Sequence, residues 1–108
     1  MLPTLLLALA ASAVQWTLIT PSPTVRPGTK LEVTLDAAIA GGWHLYSLKQ
    51  LEGGPIATTI TLPADQPFQL AGPIAASPAE SKYDETFAMD VETYSDSATF
   101  RLPLEISK

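Results

Sequence analysis

From Lys30 to Ala37 the chain alternates without interruption. Leu31, Val33, Leu35 and Ala37 fall on one side; Lys30, Glu32, Thr34 and Asp36 fall on the other. A period of two sends successive side chains to opposite faces, which is the mark of a half-buried strand. Ser97 to Ile106 repeats it, with Ala98, Phe100, Leu102, Leu104 and Ile106 inward and Thr99, Arg101 and Glu105 outward. Pro103 joins the outward set, which suits an edge or a bulge. Val14 to Thr20 is β-rich and ends at Pro21-Ser22-Pro23. Shorter extended segments are expected at Trp43–Ser47, Ile56–Leu62, Phe68–Leu70 and Phe87–Tyr94. In the second of these Ile56, Thr58, Ile60 and Leu62 share a face. Arg26-Pro27-Gly28-Thr29 reads as a type II turn, and Gly41-Gly42, Gly53-Gly54-Pro55 and Gly72-Pro73 break the chain. Ile74 to Lys82, rich in Ala and Ser, reads as a loop.

No segment keeps a helical period. Short strands with frequent turn signals predict an all-β fold, most simply an immunoglobulin-like β-sandwich, with Trp43 in its core. The best-patterned strand, Ser97–Ile106, is followed only by Ser107 and Lys108. A sandwich would normally add a return strand there. The expectation is therefore an unpaired apolar edge, met either by a partner strand or by chain continuing past Lys108.

Leu2 to Ala10 is apolar apart from Thr4, and Ala11-Ser12-Ala13 is a small-residue cleavage pattern. Residues 1–13 read as a secretory signal peptide, although no Lys or Arg precedes the apolar run. The run is too short to span a bilayer, which takes roughly 20 residues. The domain is thus expected over 14–108, exported, with no membrane span. Six Lys+Arg and a net charge of −5 leave no electrostatic footprint for nucleic acid. A 46% hydrophobic share with 16% charge is too apolar for a disordered chain. The absence of cysteine excludes disulfides, thiolate zinc sites and thiol chemistry within this polypeptide.

Candidate chemistry is sparse, and no cofactor or metal is expected. His44 is the one histidine, no G-x-S-x-G elbow accompanies it, and a strand histidine facing solvent or a polar neighbour is the simpler reading. Asp84, Glu85, Asp90, Glu92 and Asp96 lack the spacing of a calcium loop and read as a solvated face. The Gly-Gly pairs precede no helix and no Lys-Ser/Thr, so they read as turns rather than phosphate cradles. Tyr83 and Phe87, beside a loop, are better candidates for a contact surface.

Gly42-Trp43-His44-Leu45-Tyr46-Ser47, then Gly53-Gly54-Pro55, then Thr59-Ile60-Thr61-Leu62-Pro63 occur in an order that carries a resemblance. It continues through Tyr83-Asp84-Glu85-Thr86-Phe87, Tyr94 and the Phe100–Ile106 strand. From Trp16 onward the chain resembles the N-terminal domain of DsbD-type thiol:disulfide interchange proteins, the disulfide-bond corrector domain. The resemblance implies an immunoglobulin-like domain in the periplasm. Such a domain takes electrons from other domains of its parent and passes them to periplasmic thioredoxin-like oxidoreductases and cytochrome c maturation partners, by dithiol–disulfide exchange. It implies a reactive cysteine pair on a hairpin beyond Ile106, under an acidic and aromatic cap; by position Tyr83, Asp84, Glu85 and Phe87 correspond to that cap. This chain departs from the pattern in having no cysteine, so by itself it is scaffold and partner-binding surface and not catalytic. Two expectations follow: a fragment of a longer protein-disulfide reductase, or a non-catalytic adhesion or protein-binding sandwich that uses its open edge strand.

Overall fold

The computed structural model describes residues 13–21 and 25–107. The expected leader, apart from Ala13, lies outside the described residues. Eight strands and no helix make up the described chain: β1 (Val14–Ile19), β2 (Lys30–Ile39), β3 (Leu45–Tyr46), β4 (Phe68–Leu70), β5 (Ala75–Ala76), β6 (Glu80–Asp84), β7 (Met89–Tyr94) and β8 (Ser97–Ile106). They form two antiparallel sheets, the layers of an immunoglobulin-like β-sandwich. One runs β1-β2-β8-β4 with β5 also on β8; the other runs β3-β7-β6.

The two well-patterned strands become the spine of the larger sheet. β2 and β8 pair from Lys30 opposite Glu105 to Ala38 opposite Ser97. This register puts both apolar sets on one face, and Val33, Ala37, Ile39, Ala98, Phe100, Leu102 and Leu104 are buried there. On the other face Thr99 Oγ1 donates to Asp36 Oδ1 at 3.0 Å, a directly opposed pair. Phe100 is fully buried, and Tyr94 from the smaller sheet meets it edge-on at 5.7 Å between ring centroids. The turn at Gly28 is as expected: its φ is 82°, and the Thr29 N–H donates to the Arg26 carbonyl at 3.1 Å.

Five expectations need correction. The first concerns β8, which is not an open edge. β2 lies on one side, and β4 and β5 lie on the other. Leu70 faces Leu104 and Ala75 faces Arg101, so Ala71 to Ile74 run opposite only Leu102 and Pro103. The chain bulges away where Pro103 has no N–H to offer, which is how proline is tolerated inside the sheet.

Second, Ile56–Leu62 is not a strand. Thr58 donates to the Ser47 carbonyl, Ile56 is 90% exposed, and only Ile60 and Leu62 reach the core. Third, Trp43 is not in the core. The third strand has shrunk to Leu45–Tyr46 at a sheet edge, leaving Trp43 59% exposed. Fourth, Ile74–Lys82 is not a loop, because β8 and β7 supply pairing partners that make β5 and β6 of it. Fifth, Phe87 belongs to the turn before β7 rather than to the strand.

Candidate functional site

β6 and β7 form a hairpin in which Tyr83 faces Asp90 and Asp84 faces Met89. Glu85, Thr86, Phe87 and Ala88 close it. Asp84 builds the turn: its Oδ1 accepts the backbone N–H of Thr86 at 2.8 Å and of Phe87 at 3.3 Å. A short acceptor side chain that bonds two residues onward is the usual reason for aspartate at such a position. Ala88 closes the turn with φ 54°, in the left-handed region. Tyr83 is 63% exposed, Glu85 is exposed, and Asp84 and Phe87 are half-buried. The four residues singled out from the sequence thus share one hairpin tip. It offers two aromatic rings and two carboxylates to whatever approaches, and it holds no nucleophile paired with a base.

At the base of the hairpin, away from the tip, a cleft of about 430 Å³ opens between β5 and β7, lined by Ser47, Leu48, Lys49, Ala76, Glu92 and Tyr94 among others. Ser47, buried, knots its wall. Its Oγ accepts from the Lys49 N–H at 3.1 Å and lies 3.0 Å from Glu92 Oε1, while Gln50 Nε2 donates to the Glu92 carbonyl at 2.7 Å. These bonds tie the loop after β3 to β7. Ser47 entered the sequence reading only as the last residue of the Gly42–Ser47 motif, with no role of its own.

Tyr94 closes the inner end of the cleft, and its hydroxyl donates to the Ser77 carbonyl at 2.7 Å. Burial, and next the negative charge of Glu92, push its phenol above the ordinary value, against the Ser77 hydrogen bond. His44 is exposed, and its Nδ1 lies 3.0 Å from the Ser95 hydroxyl rather than from a carboxylate. The geometry for a triad is therefore not assembled around it. Of the acidic residues, Asp84 holds the turn, Glu92 takes part in the Ser47 knot, and Asp96 sits at φ 66° in the tight turn between the sheets.

A protein-family comparison decides the kinship. The model for the N-terminal region of the thiol:disulfide interchange protein DsbD matches residues 15–108. The chain belongs to the DsbD N-terminal family. That match spans all of the sandwich but Val14, including the hairpin tip, and it identifies this DsbD N-terminal chain as a thiol:disulfide interchange domain without a cysteine. Comparison with curated proteins and with solved structures gives no significant match. Among the described residues no helix is long and apolar enough to cross a membrane.

Proposed function

We propose that this DsbD N-terminal chain is the scaffold and cap of an extracytoplasmic dithiol carrier that passes reductant to periplasmic oxidoreductases and cytochrome-maturation partners. Residues 1–13 serve as the export signal. Thioredoxin-like proteins and other domains of the same parent are the partners. The reactive cysteine pair is supplied outside these 108 residues, on chain following β8. The observation that supports this reading is the Tyr83–Phe87 tip, set by the Asp84 turn within a sandwich whose family exchanges thiols. Tyr83, Asp84, Glu85 and Phe87 act as the cap: an aromatic and acidic lid over a thiolate excludes water and oxidants until a partner displaces it. The rival reading, an adhesion or protein-binding sandwich, cannot pair through β8, which has partners on both sides, and would have to use another edge such as β1.

The test is the intact mass of the naturally exported protein, with the reading frame followed through codon 108. A mass well above that of Val14–Lys108, with cysteines in the extension, supports the reading. In that protein Phe87→Ala or Tyr83→Ala is expected to speed reaction of the dithiol with a small thiol reagent several-fold, at unchanged fold. A mass equal to Val14–Lys108 ends the redox reading for this chain.

A further inference from the structure

Each sheet has one longer edge strand, β1 in the larger and β6 in the smaller, and the two are built differently; β3, β4 and β5, also at edges, are only two or three residues long. Sheet edges present unpaired N–H and C=O groups, which proteins usually guard with charge, proline or a bulge. β6 is guarded: it carries Glu80, Lys82 and Asp84, and Lys82 Nζ lies 2.9 Å from Glu80. β1, at the edge of the larger sheet, is unguarded among the described residues. It reads Val-Gln-Trp-Thr-Leu-Ile, with neither charge nor proline. Trp16, Leu18 and Ile19 on it are 45%, 61% and 48% exposed.

The backbone parity of β1 selects what fits this edge. The Ala40 N–H donates to the Ala13 carbonyl, so residue 13 turns its backbone groups toward β2, and by alternation Gln15 and Thr17 do the same. Val14, Trp16 and Leu18 therefore turn theirs to the open edge. The same three residues stand opposite Ile39, Ala37 and Leu35, so their side chains lie on the inner, apolar face. Free hydrogen-bonding groups and inward apolar side chains coincide on the same residues. An antiparallel partner of identical sequence matches this in both respects. Centred on Trp16, the strand places Trp16 against Trp16 of the second copy, Val14 against its Leu18, and Gln15 against its Thr17. Apolar residues then meet on the inner face and polar ones on the outer.

Charge points the same way. Two copies of a chain with net charge −5 repel wherever carboxylates face each other. β1 itself carries no charge, and the carboxylate opposite it in register, Asp36 facing Thr17, lies one strand away and accepts a hydrogen bond from Thr99, so two copies meet along β1 with little of that repulsion. A six-residue strand is about 20 Å long. Pairing along it stays below the roughly 1,200 Å² typical of stable complexes, which makes the association reversible. We infer that this chain forms a two-fold symmetric homodimer by antiparallel pairing of β1 with β1 of a second copy, centred on Trp16. This rests on the β1 edge being free in the natural protein and not on the cap or on any cysteine.

The absence of native cysteine from these 108 residues makes the test clean. Gln15 and Thr17 are exposed on the outer face, and the proposed register opposes them across the dimer as a non-hydrogen-bonded pair with Cα atoms about 4.5 Å apart. Gln15→Cys and Thr17→Cys chains in the form naturally exported, mixed under mild oxidation, should give a disulfide-linked heterodimer roughly tenfold faster than either alone. In sedimentation velocity the natural chain should shift from monomer toward dimer between about 1 µM and about 1 mM. Leu18→Lys should hold it monomeric with its circular dichroism unchanged, and Ser81→Lys on the β6 edge should leave the dimer intact. A natural chain that is monomeric throughout overturns the inference. So does a dimer that Leu18→Lys leaves intact or Ser81→Lys abolishes, or cross-linking no faster in the mixture than in either single sample.

Discussion

Tyr94 joins the two sheets through one ring and one hydroxyl. The ring lies edge-on to Phe100, and the hydroxyl bonds the Ser77 carbonyl just after β5. Tyr94→Phe keeps the ring contact and leaves the carbonyl unpartnered, so a loss of about 1 kcal/mol in urea-unfolding stability is expected. The pH dependence has a definite sign. The phenol's ordinary value is 10.0 and folding raises it, so the unfolded chain ionises first. Stability is then level below about pH 10 and falls as the pH rises toward the folded-state value, because deprotonation draws the chain toward the unfolded state. Tyr94→Phe should lack that decline, and denaturation series at pH 8 to 11 would show the two curves converging. An undiminished alkaline decline in the variant would assign it elsewhere. Trp43 shows how a single residue misleads. A large indole among aromatic neighbours reads as core, yet the strand that would bury it is two residues long and lies at an edge.

At the scale of elements, β2 and β8 were legible because each is ten residues long with one buried face, so burial alternates with sequence. Ile56–Leu62 alternates as well, but no strand runs beside it over that length, and its pattern records two anchoring residues, Ile60 and Leu62, rather than a ladder. β5 and β6 were hidden for the opposite reason. Their Ala, Ser and charged residues carry no apolar period, and their pairing is imposed by β8 and β7. From the residues alone Asp84 and Glu85 read as a solvated face, and only the family resemblance marked Tyr83 to Phe87 as a cap; that these residues share a hairpin depended on the unseen pairing. The hairpin also carries a local misfit: Ala88 adopts φ 54°, where a Cβ is unfavourable. Ala88→Gly should therefore stabilise the domain by up to about 1 kcal/mol, even after the extra freedom glycine gives the unfolded chain. Asp84→Ala should cost about 1 kcal/mol, since two turn N–H groups lose their acceptor. Thermal unfolding reads both, and a destabilised Ala88→Gly would mean that the turn is not held as described.

For the whole molecule the main asymmetry is between a large sheet and a small one. The smaller sheet brings Tyr94 and Leu45 to the core and covers the inner face around Phe100. It does not extend over β1, so Trp16 keeps contact with Phe100 at 6.4 Å between centroids and is still 45% exposed. Trp43 is more exposed still, and these are the only two tryptophans. Most folded domains shift their indole emission to longer wavelength on unfolding because burial is lost. Here dilute native protein should already emit close to solvated indole, and urea should change the spectrum little while circular dichroism reports a full transition. Paired through β1, Trp16 would lie against its counterpart and leave water. A Trp43→Phe chain, in which Trp16 alone emits, should then move to shorter wavelength as concentration rises, and Leu18→Lys should abolish that movement. A large emission shift on unfolding of the dilute monomer would mean that the inner face over β1 is already covered within one chain, and the edge would have no apolar surface left to offer.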